Sequence, residues 1–111
     1  MTVTVKVLIP AKTAEAAQTR QYTAINVTTI IDKFTATNYS GSAATISVHL
    51  VTAADVASNN NIITKTRTLQ PSEVYTFPEL VGQVLSPSAF ISTIAGTASA
   101  INIRASGREV T

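Results

Sequence analysis

Apolar and polar residues alternate along most of this chain, and a period of two residues is the pattern of half-buried β-strands. From residue 3 to residue 9 every second side chain is apolar, and we predict that four residues share one face of a first strand: Val3, Val5, Val7 and Ile9. The same alternation predicts further strands at residues 22–24, 28–38, 44–51, 62–69, 74–77, 80–85, 90–94 and 98–105. About eight short strands separated by turn residues are typical of two-layered β proteins. We therefore predict an all-β fold, an antiparallel β-sandwich that is jelly-roll-like.

The segments between these strands carry turn-forming residues. Ser40-Gly41-Ser42 predicts a tight reversal in which the glycine takes a positive φ angle. Residues 11–20 are helix-friendly but offer no large apolar face, so we predict a loose arm or a short turn there. The chain thus divides into an N-terminal strand and arm, residues 1–20, and a β-sandwich, residues 21–111, within a single domain overall. The tail after Ala105, residues 106–111, is predicted to be frayed.

Two polar residues within the predicted strands bear on function. Asp32 falls on the same face as Ile30 and Phe34, which we predict to point inward, and a buried carboxylate needs hydrogen bonds or a place at the end of the sheet. His49 falls on the opposite face from the apolar residues of its strand, so we predict an outward, solvated or interfacial imidazole. It is the only histidine, and a metal site needs several ligands.

The composition suggests a surface that other protein covers. Only 13% of the 111 residues are charged, against about 25% in a typical soluble domain. Small neutral residues such as threonine, serine and alanine take their place, and a weakly hydrated surface of this kind costs less to bury. No cysteine is present, which excludes disulfides, thiolate zinc sites and thiol catalysis.

The net charge of +2 carries little information, because the lysines and arginines are scattered and have no aromatic residues among them. Nucleic-acid-binding proteins usually cluster their basic residues, so we predict no specific nucleic-acid partner. No apolar run approaches the roughly 18 residues of a membrane span, so we predict no membrane partner. The alternating N-terminus is expected to form a strand, since a signal peptide would need a continuous apolar stretch.

Residues that could support catalysis are few and dispersed. No serine lies in a G-x-S-x-G turn that would expose a nucleophile, and no glycine-rich loop is available to bind phosphate. Glu73 and Glu79 flank one short predicted strand and could approach each other, as the two carboxylates of a glycosidase must. More commonly, glutamates in such places simply occupy a turn and a strand end, and this interpretation is favoured for both residues. We predict no enzymatic activity, no cofactor and no metal site.

The segment Tyr75–Leu80 contains the one local feature that favours a binding function. Tyr75 and Phe77 share a face of the predicted strand, so they either pair in the core or form, with Pro78 beside them, an aromatic docking ridge. The residues that we predict to contact a partner are Val3, Val5, Arg20, Tyr75, Phe77, Pro78, Glu79, Leu80, Arg104 and Arg108.

Three segments resemble a family of small virion proteins of tailed bacteriophages: residues 29–38 (TIIDKFTATN), 75–82 (YTFPELVG) and 101–110 (INIRASGREV). The family is that of the capsid staple, cement or decoration proteins of the epsilon-15 type of short-tailed phage, and the likeness covers roughly residues 22–111. The resemblance implies a jelly-roll-like β fold, a homodimer, and attachment to the major capsid protein on the outer surface of the head, across subunit junctions. It further implies a protein that is made in the cytoplasm of the bacterial host, is localised in the virion, and stabilises the shell against the pressure of packaged DNA.

Two other functions are consistent with the sequence. A carbohydrate-binding or adhesin-like β-sandwich on a virion surface would use exposed aromatic side chains, and the chain has three tyrosines and no tryptophan. A small hydrolase is the third hypothesis.

Overall fold

A computed structural model describes all residues, 1–111, and contains nine β-strands and no helix. The strands are β1 (Val3–Thr13), β2 (Thr19–Thr23), β3 (Thr28–Asn38), β4 (Ala44–Val51), β5 (Ile62–Leu69), β6 (Val74–Tyr75), β7 (Val84–Leu85), β8 (Phe90–Ala95) and β9 (Ile101–Val110). The prediction of an all-β fold is confirmed. The bounds predicted for β3, β4 and β5 are also the observed ones.

The strands form two antiparallel sheets. The five-stranded sheet has the order β1-β9-β3-β6, with β7 pairing another part of β3, and the four-stranded sheet has the order β2-β8-β4-β5. Strands from the end of the chain lie between strands from its start, because β9 separates β1 from β3 and β8 separates β2 from β4. The predicted antiparallel β-sandwich is confirmed, and its nested strand order is the jelly-roll arrangement.

The core lies between the two sheets and contains 22 buried residues. Phe34 in β3 and Phe77, which follows β6, are fully buried, and the centroids of their rings are 4.8 Å apart in an edge-to-face arrangement. Aliphatic side chains from both sheets complete the cluster, among them Ile46, Leu69, Ile91, Ile101 and Ile103. Burial of this apolar surface is the main favourable contribution to folding.

A bulge in β1 changes the direction of its first apolar residues. The pairing with β9 shifts between Val7 and Ile9, so the strand accommodates one extra residue, Leu8, and the alternation is reset. Leu8 and Ile9 are buried. The prediction that four apolar residues of β1 share one face is wrong at Ile9, since Val3, Val5 and Val7 are 53%, 82% and 41% exposed whereas Ile9 is 1% exposed.

A second bulge lies in β3, where the pairing with β9 shifts between Ile31 and Lys33. Ile31 is buried and Ile30 is only half-buried, which reverses the direction predicted for Ile30. Asp32 is exposed beside the bulge and does not point inward as predicted. Both predictions failed because a strict period of two has no place for an inserted residue.

The N-terminal segment is part of the sandwich. β1 extends well beyond the predicted first strand, and Ala14 is buried and donates its backbone N–H to the carbonyl of Ile101 at 2.8 Å. Only a short connection then precedes β2. Residues 11–20 are therefore not a loose arm, and the predicted division at residue 20 falls within β2.

The C-terminal segment is also ordered into a sheet, so the predicted frayed tail is wrong. β9 continues to Val110 and is paired on both sides, with β1 and with β3. Thr2 and Thr111 exchange backbone hydrogen bonds of 3.1 and 2.9 Å beyond the end of the strand. Pairing with two neighbours holds in place a segment whose own composition gives little indication of order.

The turns place left-handed backbone at residues other than the predicted glycine. Gly41 does not have a positive φ, and among the glycines only Gly82 does, at 84°. Ser72 and Ser88 adopt φ angles of 66° and 71° in the turns before β6 and β8. Phe77 has a φ of 44°, and the short strand before it ends two residues earlier than predicted.

Candidate functional site

The outer face of the five-stranded sheet carries a row of apolar side chains near the two chain termini. Residues that are directly opposed across antiparallel strands project from the same face of a sheet. Val5 opposes Arg108, which in turn opposes Ile30. Ile30 opposes Val84, so the row crosses β1, β9, β3 and β7. We name the apolar members of this surface the valine face: Val3, Val5, Val7, Ile30, Val84 and Val110.

The valine face is highly exposed for a set of apolar residues on regular strands. Val5 is 82% exposed, Val84 57% and Val3 53%. Ile30 and Val110 are half-buried between them. A cluster of exposed apolar side chains marks a surface that binds another molecule more often than a surface that faces water alone.

One ion pair lies within the valine face. Arg108 donates from Nε to the two carboxylate oxygens of Asp32 at 3.2 and 3.0 Å, and from Nη2 to Oδ1 at 2.9 Å. These hydrogen bonds raise the pKa of Arg108 and fix the plane of the guanidinium. Asp32 also lines, with Val5 and Val7, a shallow depression of about 300 Å³. The surface thus combines apolar side chains with an oriented, mutually compensated pair of charges, and the exposed Lys33 lies on the same face in the row of Val7 and Ser106.

A hydrogen-bond network fixes this end of the five-stranded sheet to β2 of the other sheet. Tyr22 in β2 is buried and donates its hydroxyl proton to Glu109 at 2.5 Å, so the same oxygen accepts from Thr29 at 2.7 Å. Lys6 Nζ lies 3.3 Å from the Glu109 carboxylate. Because Lys6, Glu109 and Thr29 belong to β1, β9 and β3, the network joins the three strands that carry most of the valine face.

Burial, together with the hydrogen bond to Glu109, raises the pKa of Tyr22 from its usual value of 10.0 to about 12. A raised pKa means that the folded protein resists ionisation of the phenol while the unfolded chain does not. The stability that Tyr22 contributes is therefore fully present below pH 10 and is lost as the pH rises toward 12.

We expect this group alone to lower the free energy of unfolding by about 2 kcal/mol between about pH 9 and pH 11.5, as measured by urea unfolding. In Tyr22→Phe most of this alkaline loss is absent, although the variant starts from a lower stability because Glu109 and Thr29 have lost a partner. Tyr39→Phe, a change at an exposed tyrosine, serves as the control and retains the loss. If the free energy of unfolding fell equally at alkaline pH in wild type and in Tyr22→Phe, the assignment of this pH dependence to Tyr22 would be contradicted.

Four of the predicted partner-binding residues lie together on the outer face of the five-stranded sheet: Val3, Val5, Arg104 and Arg108. Arg104 is exposed and opposes Thr35, farther along β9 from the valine face. The structure therefore brings together residues from the two ends of the sequence, as the pairing of β1 with β9 requires.

Arg20 lies on the other sheet and is not part of this surface. Its guanidinium carbon lies 3.7 Å from the centroid of the Phe90 ring. His49 points away from the core as predicted, but it is only 6% exposed, and burial lowers its pKa. Gln18 lies over it, with Nε2 3.4 Å from Nδ1 of His49 and 2.8 Å from Oγ of Ser92. The imidazole is thus covered by the chain itself and is not solvated.

Most of the predicted aromatic ridge is core. Phe77 and Leu80 are fully buried, so they cannot contact a partner in this conformation, and their prediction as surface residues is corrected. Tyr75 is half-buried, and its ring centroid lies 4.6 Å from that of Phe77. Pro78 is exposed and Glu79 is half-buried beside it. Of the two interpretations of Tyr75 and Phe77, the core pair is the one that the structure contains.

Glu73 and Glu79 each have their own hydrogen-bond partners. Glu79 accepts from Thr64 at 2.5 Å and from Tyr75 at 2.6 Å, which connects β5 to β6. Partial burial acts to raise the pKa of Glu79, but these two hydrogen bonds and smaller favourable interactions outweigh it and lower the pKa. Glu73 accepts the backbone N–H of Gln70 at 2.7 Å and so closes the turn before β6. Both residues have structural roles at the predicted turn and strand end.

The members of the valine face that sequence reasoning did not select as partner-binding residues are Val7, Ile30, Val84 and Val110. One signal was available for Val7, because Val7-Leu8-Ile9 places three apolar residues in succession and so interrupts the period of two. Val84 and Val110 join the face only through strand pairing, Val84 with Ile30 of β3 and Val110 with Val3 of β1, and no local pattern indicates these pairings.

Comparisons of the chain with protein families, with curated proteins and with solved structures find no match. The structure contains no helix of the length and apolar character that a membrane crossing requires. The valine face is identified from the geometry of this chain alone.

Proposed function

We propose that this chain is a virion structural protein, a capsid decoration or cement protein that binds the outer surface of a phage head. It acts as a homodimer, bridges neighbouring major capsid protein subunits through the valine face, and stabilises the shell against the pressure of packaged DNA. The choice of the major capsid protein as the partner is supported by the resemblance to phage staple proteins, which lies in residues 29–38, 75–82 and 101–110.

The single observation that carries the proposal is the valine face itself. A sheet backed by a packed core holds Val3, Val5 and Val84 in fixed positions while leaving more than half of each side chain exposed. Docking a preformed surface of this kind orders few side chains, so little conformational entropy is lost on binding. The hydrogen bonds between Arg108 and Asp32 supply a polar group of fixed orientation among the apolar contacts.

Stabilisation of the shell follows from mass action. A protein that binds only the assembled shell stabilises it by about 2.7 kcal/mol per site when its free concentration is a hundred times its dissociation constant. A dimer that contacts two subunits at once gains about 10²- to 10⁴-fold in avidity over a single contact. Weak individual contacts therefore suffice when they are repeated over the many sites of a shell.

The carbohydrate-binding alternative is not favoured by the position of the aromatic residues. Phe34 and Phe77 are fully buried, Tyr22 and Phe90 are less than a tenth exposed, and Tyr75 is half-buried. Tyr39 alone among the aromatic side chains is exposed. A sugar that stacks on an aromatic ring would find one ring here, with no aromatic neighbour on the surface.

The proposal is tested by co-sedimentation of the purified protein with phage heads that lack it. We expect saturable binding, and we expect Val84→Lys to weaken it by about tenfold or more because a charge is placed within an apolar contact surface. Val56→Lys is the matched control, since Val56 is 70% exposed in the loop between β4 and β5. Absence of wild-type binding, or equal binding by Val84→Lys, would contradict the proposed role of the valine face.

A further inference from the structure

β1 is an edge strand whose free side is available for pairing. β9 pairs with one side of β1, and no strand pairs with the other. Thr2 exchanges both of its backbone hydrogen bonds with Thr111, opposite the end of β9. Backbone groups of alternate residues point to opposite sides of a strand, so the N–H and C=O groups that point to the free edge are those of Val3, Val5 and Val7.

The first part of β1 contains no proline and no bulge, two of the features with which proteins protect an edge strand. The bulge at Leu8 and the proline at Pro10 both follow it. Its one charged side chain, Lys6, is engaged by Glu109. The open edge is therefore confined to a short segment with unpaired backbone groups and exposed apolar side chains.

We propose that β1 of one chain pairs antiparallel with β1 of a second copy, across a two-fold axis at Val5. In this register Val5 opposes Val5 of the second copy, and Val3 opposes its Val7. The free N–H and C=O groups of all three valines are then satisfied, and apolar side chains meet only apolar side chains. Lys6 opposes Thr4 of the second copy, so no two lysines meet. The segment is thus complementary to itself, as an isologous interface requires.

The pairing joins two five-stranded sheets edge to edge. Opposed residues share a face of the sheet, so the two valine faces become one continuous surface on the same side of the dimer. The pairing is argued from β1 alone, whereas the interpretation that it widens the capsid-docking surface rests on the proposed function.

A strand pair of this length is a small interface, and interfaces below about 1,200 Å² are typical of weak or transient complexes. We therefore expect a reversible dimer with a dissociation constant in the micromolar range, on the order of 1 to 100 µM. Sedimentation velocity over a concentration series measures it. A wild-type protein that remains monomeric throughout this range overturns the inference.

Two substitutions test the register. Val5→Pro removes an N–H that points to the free edge, so the pairing with β9 is retained while the central contact of the dimer is lost. Val5→Lys places two lysines at the two-fold axis. We expect both variants to weaken dimerisation by about tenfold or more, and Val84→Lys, which changes the valine face on the far side of the sheet from β1, to leave it unchanged. A dimer that persists in both Val5 variants overturns the inference.

Amide hydrogen exchange gives a second, residue-specific test. Thr4 and Lys6 bond to β9 and are protected at every concentration, whereas the amides of Val3, Val5 and Val7 become protected only in the dimer. Concentration-independent exchange of these three amides, in a protein that dimerises, assigns the dimer to another surface and overturns the inference. Dimerisation without shell binding would leave this inference intact and contradict only the proposed function.

Discussion

Replacing Phe77 with alanine is expected to lower the free energy of unfolding by about 3 to 5 kcal/mol. The side chain is fully buried, and its ring contacts those of Phe34 and Tyr75 at centroid distances of 4.8 and 4.6 Å. Truncation removes apolar burial and leaves a cavity where the chain leaves the edge of the five-stranded sheet. Chemical denaturation measures the loss, and for a domain of this size it corresponds to a fall of roughly 10 °C or more in Tm.

Tyr39→Ala is the matched control, because Tyr39 is an aromatic residue with 53% of its surface exposed. Its effect should stay within about 0.5 to 1 kcal/mol, the range of surface substitutions that remove at most one exposed hydrogen bond. Unchanged stability in Phe77→Ala would show instead that Phe77 lies on the surface and would restore it as a candidate docking residue.

Gly107→Ala is the second substitution with a large expected effect. A Cβ at this position would overlap the backbone carbonyl oxygen of Ile30 and lie 3.0 Å from Cδ1 of Leu8. Both neighbours belong to strands paired with β9, so the overlap is relieved only by moving β3 away from the central strand of the sheet. We expect a loss of about 3 kcal/mol in the free energy of unfolding, at the upper end of the range for overpacked interiors.

Gly41→Ala is the control for this substitution. Gly41 lies in the turn between β3 and β4 and has no positive φ, and a Cβ added to it would meet no atom within 4 Å. Its effect should lie within about 0.5 kcal/mol of zero. If Gly107→Ala and Gly41→Ala changed the urea midpoint equally, β9 and β3 would not approach each other as closely as described.

The fold could be predicted from the sequence because apolar and polar residues alternate over most of each strand and turn-forming residues separate the strands. β3, β4 and β5 begin and end where the change from alternating to turn-forming residues predicts. The prediction failed where pairing with distant strands decides the structure. β9 continues to Val110 because β1 and β3 satisfy its backbone groups on both sides, and the residues after Ala105 carry no sign of this by themselves.

The candidate site could be predicted only in part. Val3, Val5 and Arg108 were selected, and the structure places them side by side. Ile30 and Asp32 were assigned to the wrong face, because the bulge in β3 inserts one residue into the alternation. Phe77 and Leu80 are aromatic and aliphatic residues near a proline, and such a segment looks the same in a core and on a docking surface until the fold is known.

The central claim is that the valine face stabilises a protein shell, and the temperature at which empty phage heads disrupt tests it most directly. We predict that saturating wild-type protein raises this temperature, and that Val84→Lys at the same concentration raises it less than the control Val56→Lys does. A disruption temperature that is the same with and without the wild-type protein would contradict the account.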